Sequence, residues 1–171
     1  MKQHVSQQRG FTLIELLLYV SIAAALLLAS SVFLSTLLQS RIKNQTIAEV
    51  EGQGAAALQV IAQSIRNANG INAPSSGSNA STLSLAVDSA GNDPTVFDVA
   101  SGVLRMKEGA STATSLTNSR VVVTNLVFSN LSRSGTLGTV RIGFTVTATN
   151  TSGRNEYSFS KDFLMSATLR Q

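Results

Sequence analysis

The chain has 171 residues, with 13 basic and 9 acidic side chains, a formal charge of +4 and 13% charged residues. That charged share is about half that of an average soluble protein. It has no Cys, no Trp and one His, which excludes disulfide staples and cysteine or multi-histidine metal centres. At this length a large multidomain enzyme is excluded too.

The first ten residues hold Lys2, Arg9 and no acid, which leaves 11 basic against 9 acidic groups in the rest. Those basic groups are scattered singly, so the pI near 10.0 does not indicate a nucleic-acid surface, which needs clustering. Leu16 through Ser40 then carries no charge over about 25 residues, or roughly 37 Å of helix. A hydrocarbon core needs about 20. Leu and Ala dominate and neither Gly nor Pro interrupts the run, so helix is the expectation. It is long for a cleaved secretory signal, although Ala29 and Ser31 offer a weak cleavage site. A plain membrane anchor fits the length but leaves Glu15 without a reason.

Arg9-Gly10, then Phe11-Thr12-Leu13-Ile14-Glu15, then the apolar run, resembles the leader of type IV pilins and type II secretion pseudopilins. The resemblance implies that prepilin peptidase, a membrane enzyme, cuts after Gly10 and methylates the new amino group of Phe11. Lys2 and Arg9 hold the leader on the cytoplasmic side. Gly10 leaves the backbone open to the peptidase. By the same resemblance, Glu15 pairs with the charged N-terminus of a neighbouring subunit and sets axial register. The bland alternative is an interfacial Glu at headgroup depth.

Further partners implied are other pilin or pseudopilin subunits, an inner-membrane assembly platform, and membrane lipid before assembly. The implied location is the inner membrane, crossed once with the C-terminal portion outside the cytoplasm, and the pilus or pseudopilus after assembly. Arg41 and Lys43 on the far side weaken the positive-inside pattern, so orientation rests on the resemblance.

Past the span, Ile42, Ile47, Val50, Ala55, Leu58, Ile61, Ala62 and Ile65 fall along an apolar stripe, the mark of a helix packed on one side. The helix is expected to reach about Asn69 with Gly70 as a left-handed cap. Gly52 and Gly54 are expected to bend or fray it near 51–55, or else to mark close packing on a sheet. Residues 70–81, 88–94 and 108–117 read as loops.

Strands are expected around Leu83–Val87, at 96–99 and 103–106 about a Ser101-Gly102 turn, and over Arg120–Leu131, Thr139–Thr149 and Asn155–Leu169. In the last, Tyr157, Phe159, Phe163, Met165, Ala167 and Leu169 share one face. Phe128, Phe144, Phe159 and Phe163 are assigned to the core. The fold class is then α+β: a long N-terminal helix, transmembrane in its first half and amphipathic in its second, packed on a C-terminal antiparallel sheet as in a pilin-like roll. The domain reading is leader 1–10, membrane and filament-core helix 11–40, amphipathic helix 41–69 and globular β domain 70–171.

No catalytic constellation is present. His4 lies in the leader, so the processed chain has no histidine for acid–base work. No phosphate loop and no zinc ligand set occurs, and neither a cofactor nor a metal is expected. Asp88, Asn92 and Asp93 offer oxygens that calcium accepts, but a solvated turn is the simpler reading. The leading functional expectation is a filament subunit and not an enzyme. Leu116-Thr117-Asn118 through Phe128 faintly resembles J-type minor pseudopilins and W-type minor pilins. Two alternatives stand beside it. One is an anchored binding module that never polymerises. The other is a DNA-uptake minor pilin using basic residues such as Arg133 or Arg154, though nothing in the sequence supports a nucleic-acid partner.

Overall fold

The computed structural model describes residues 12–135 and 137–170. One helix, α1, runs from Leu13 to Asn67. The chain divides into two compact units, one ending at Arg41 and the other starting at Ile42.

In the first unit every residue from Thr12 to Arg41 is exposed. The segment is apolar on all sides, as a span is and a surface helix is not. In the second unit α1 presents Val50, Gly54, Ala57, Leu58, Ile61, Ala62 and Ile65 to the core. These recur at helical spacing, so one stripe is buried while Glu51, Gln59 and Gln63 stay outside. Ala55, expected in the stripe, is exposed; Gly54 and Ala57 take that side of the helix instead.

The helix ends at Asn67, two residues before the expected stop. Gly70 is no left-handed cap: it opens strand β1 (Gly70–Ala73), opposite Ala86. Nor does α1 fray at its glycines. Gly54 is buried under the ring of Phe163, so close packing is its reason. Gly52 has open space around it, and nothing in the structure explains it.

The remaining elements form two antiparallel sheets rather than one. The first combines β1 with β3 (Leu83–Ala86), β4 (Thr95–Ala100), β5 (Val103–Glu108) and β6 (Thr114–Ser115), in the order β1-β3-β4-β5-β6. The second combines β2 (Asn79–Ala80), β7 (Val121–Asn130), β8 (Thr139–Ala148) and β9 (Ser160–Thr168), in the order β2-β7-β8-β9. The region 70–81 therefore holds β1 and β2, and 108–117 holds β6, where loops were expected. These short strands lack the alternating apolar residues that mark a strand in sequence.

Ser101 and Gly102 turn β4 into β5 with φ values of 51° and 77°, the left-handed pair a two-residue hairpin demands. The Gly102 carbonyl accepts the Val123 N–H at 2.8 Å, which ties this hairpin to β7. Within β7 a bulge between Thr124 and Val127, with Asn125 at φ 53°, inserts residues out of register. Burial accordingly shifts from Val121 and Val123 to Leu126 and Phe128.

The core joins the α1 stripe to Leu83, Leu85, Phe97 and Leu104 of the first sheet and to Phe128, Val140, Ile142, Phe144, Val146 and Phe163 of the second. Phe97, fully buried, was missing from the expected core aromatics. Phe144 and Phe163 stack with centroids 5.5 Å apart, whereas Phe159 is only partly buried at the margin. The last strand begins late, because Asn155–Tyr157 forms a 3-10 turn. Met165, expected inside, is 37% exposed; it lies at the rim between β9 and the helix.

Candidate functional site

Cleavage and methylation are expected at Gly10 and Phe11, with Lys2 and Arg9 before them. All four lie outside the described residues. Glu15 is described, and it sits in the first turn of α1. Its N–H meets the Thr12 carbonyl at 3.1 Å and the Thr12 Oγ1 at 3.4 Å. Thr12 thus caps the helix, and Thr12-x-x-Glu15 has the spacing of a capping box. The Glu15 carboxylate also lies at the positive end of the helix dipole.

Beyond Glu15 the surface is built of exposed Leu, Ile, Val, Phe and Tyr side chains from Leu13 to Leu38. An 18-residue window within α1 reaches a mean hydropathy of 2.3, enough in length and composition to cross a membrane. Three hydroxyls in this stretch are satisfied within the helix. Ser21 donates to the Leu18 carbonyl at 2.8 Å, and Ser35 and Thr36 donate to the Ser31 and Val32 carbonyls at 3.0 Å. Polar groups so paired are compatible with a hydrocarbon surrounding, where unpaired ones are costly.

After Arg41 the helix is fastened to the globular unit by charged side chains. The Lys43 ammonium donates to the carbonyls of Asn155, at 3.4 Å, and Ser158, so it pins the segment leading into β9. The Glu49 carboxylate accepts from Asn118 at 2.7 Å and faces Arg120 at 3.8 Å. Glu51 pairs with Lys161 at 2.6 Å. A groove of about 760 Å³ lies beside these contacts, lined in part by Ile42, Thr46, Glu49, Arg120 and Tyr157.

The carboxylates of the 88–94 turn are engaged in shaping it. Asp93 Oδ1 accepts the Val87 N–H at 3.1 Å, and Asp88 accepts from the Asn69 amide. Among the described residues no group of three or more His, Asp or Glu side chains is placed to hold a metal ion. Arg133 and Arg154 lie in the connections at opposite ends of β8, and Arg154 is paired with Glu156, so the two do not form one basic patch. Asp98 and Arg105 are directly opposed on β4 and β5 and joined by two bonds of 3.0 and 2.7 Å. Those bonds and the adjacent charge raise the Arg105 pKa above its ordinary value.

Sequence reasoning missed the fastening residues Lys43, Glu49 and Glu51. Their partners are roughly 70 to 115 positions away in sequence, and no local pattern marks them.

An apolar exposed helix that continues as the cover of antiparallel sheets defines a pilin-like α+β protein. Residues 5–31 match the family described as the prokaryotic N-terminal methylation motif. The chain therefore carries the motif typical of type IV pilins and pseudopilins, a class generally structural and not enzymatic, and the motif implies processing by prepilin peptidase. No curated protein and no solved structure matches the chain.

Proposed function

We propose that the protein is a structural subunit of a type IV pilus or type II secretion pseudopilus. In this reading it is cut after Gly10, methylated at Phe11 and polymerised by packing of its apolar helix. The observation that carries the reading is the joint occurrence of the methylation motif over 5–31 and an apolar surface left exposed from Leu13 to Leu38. Such a surface demands cover: lipid before assembly, and the same helix of neighbouring subunits afterwards. Segment 11–40 is then membrane anchor and filament core, 41–69 the link, and 70–171 the outward-facing domain. Glu15 holds a neighbour's charged N-terminus, an arrangement that replaces the hydration a carboxylate loses in an apolar bundle. The inner-membrane platform delivers subunits whose C-terminal domains stand outside the cytoplasm.

The test is mass spectrometry of sheared filaments beside the membrane fraction. The peptide beginning at Phe11 should carry one added methyl group, about 14 Da. High copy number in filaments identifies a shaft subunit, and traces there with most in the membrane identify a minor one. A persisting leader with no filament signal refutes polymerisation. Glu15→Gln should leave membrane insertion intact and abolish incorporation into filaments, read by shearing and immunoblotting. Normal incorporation of the variant would remove Glu15 from the mechanism.

A further inference from the structure

β9 is the outer strand of its sheet, and its free edge can be read residue by residue. Ala148 donates to the Phe159 carbonyl and Leu169 to the Gly138 carbonyl, while the register with β8 is unbroken between them. By the alternation of antiparallel pairing, residues 161, 163, 165 and 167 turn their backbone groups toward β8. Asp162, Leu164, Ser166 and Thr168 turn theirs outward. Both ends of this edge are closed: the Ser158 carbonyl by Lys43, and the Arg170 N–H by the Arg66 carbonyl at 3.1 Å. Between those closures the outward groups have no partner among the described residues.

Beside the open stretch runs a groove of about 370 Å³ between β9 and the flank of α1, with Phe163 and Met165 on one wall and Ala55, Leu58 and Ala62 on the other. Small alanines on the helix wall leave room for side chains beneath an additional strand. Leu164, 72% exposed, offers an apolar contact on the opposite face. Arg66 lines the far end of the groove, and the backbone N–H of Arg170 is bonded to the Arg66 carbonyl there. The near end is neutralised by Lys161 with Glu51.

We propose that the β9 edge and its groove bind an extended segment of another protein as an added strand. The segment is apolar at alternate positions and carries an acidic residue at the end meeting Arg66. Backbone bonds would supply affinity, and the groove and Arg66 selectivity. Antiparallel pairing with the β9 of a second copy does not fit. The 42–67 segment runs in the same direction as β9, with Lys43 beside Ser158 and Arg66 beside Arg170. Antiparallel self-pairing would therefore reverse the two helices, whereas subunits anchored in one membrane enter this segment from the same side. The proposal goes beyond the filament reading; only its exclusion of antiparallel self-pairing rests on the membrane anchor of that reading.

The test uses the full chain in detergent micelles, hydrogen exchange by NMR, and a synthetic peptide of about nine residues alternating valine and threonine with glutamate at both ends. The amides of Asp162, Leu164, Ser166 and Thr168 should exchange fast in the protein alone and slow at least about tenfold with peptide. A peptide N-methylated on alternate amides should have no effect. Ser166→Pro removes an outward donor while leaving the bonds to β8, and should abolish the slowing. Arg66→Glu should weaken binding roughly fivefold. Continued protection of Phe163 and Met165 shows that both variants are folded. Slow exchange of the four outward amides without peptide overturns the proposal. If that slowing rises with protein concentration, a second copy is the occupant. Equal binding of the methylated peptide, or no slowing at any peptide concentration, overturns it as well.

Discussion

Gly54→Ala isolates the contact that seats the helix on the second sheet. A Cβ added at Gly54 would lie 2.2 Å from Phe163 Cζ, 2.3 Å from Cε2 and 2.7 Å from Cε1. The ring cannot simply swing aside, because it stacks on Phe144 and is 9% exposed. Overpacking of this kind costs about 1–3 kcal/mol. Against it stands the gain of roughly 1 kcal/mol for Ala over Gly in a helix interior. Gly52→Ala is the internal control: it lies two residues away in the same helix with nothing within 4 Å, so it keeps the propensity gain alone. The two variants should therefore differ by about 1–3 kcal/mol, with Gly52→Ala the more stable. That is a Tm gap of roughly 2–12 °C at about 2–4 °C per kcal/mol for a chain of this size. Thermal unfolding of the full chain in micelles, followed by far-UV circular dichroism, reads the gap directly. Adding Phe163→Leu should shrink it, since the shorter side chain clears the new methyl. Equal stabilisation by both alanines would refute the argument that Phe163 imposes glycine at position 54.

Three further outcomes follow from the same contacts. Asn130 is buried, donates to the Pro74 carbonyl at 2.7 Å and accepts the Ser132 N–H at 3.0 Å. Asn130→Ala should cost about 1–3 kcal/mol by urea denaturation, because it orphans both backbone groups. Lys43→Met retains the stem but not the two carbonyl contacts, so amide exchange should accelerate over 151–159 while α1 remains protected. The Arg105 pKa is raised on folding above its ordinary value, chiefly by its hydrogen bonds to Asp98. Its contribution is therefore complete below the unfolded value and lost only as pH rises through the higher folded one. On the arginine side, the Tm difference between the native chain and Asp98→Asn should be the same at about pH 6 and pH 9, and a difference that vanished at the higher value would contradict this.

The helix was legible because its signal is local. Leu and Ala without Gly or Pro demand a helix wherever the chain finds itself, and the uncharged length speaks to hydrocarbon without any tertiary contact. The long strands β7, β8 and β9 were legible for the same reason, since alternation of apolar residues is a property of neighbours in sequence. Legibility failed where the deciding group is distant. Ala55 and Met165 are as apolar as the residues beside them, but one turns away from the core and the other sits at the rim of the last strand. For Gly54 the sequence left open a bend or close packing on a sheet, and a ring 109 positions later in the chain decides for packing. The short strands β1, β2 and β6 carry no pattern of their own, and they exist because a neighbouring edge offers them hydrogen bonds.

By itself the sequence determined an N-terminal motif for processing, an apolar helix with one acid near its start, and a β-rich remainder that needs a cover. These follow from side-chain chemistry and periodicity over a few consecutive residues. Only the tertiary structure decided that the strands split into two sheets, that Lys43, Glu49 and Glu51 fasten the helix to them, and that β9 keeps an open edge. Those outcomes depend on which groups from distant parts of the chain meet. Hydrophobic burial selects a face of each element but carries no direction along it. Register and edge are set by hydrogen bonds and close packing that exist only once the elements are assembled.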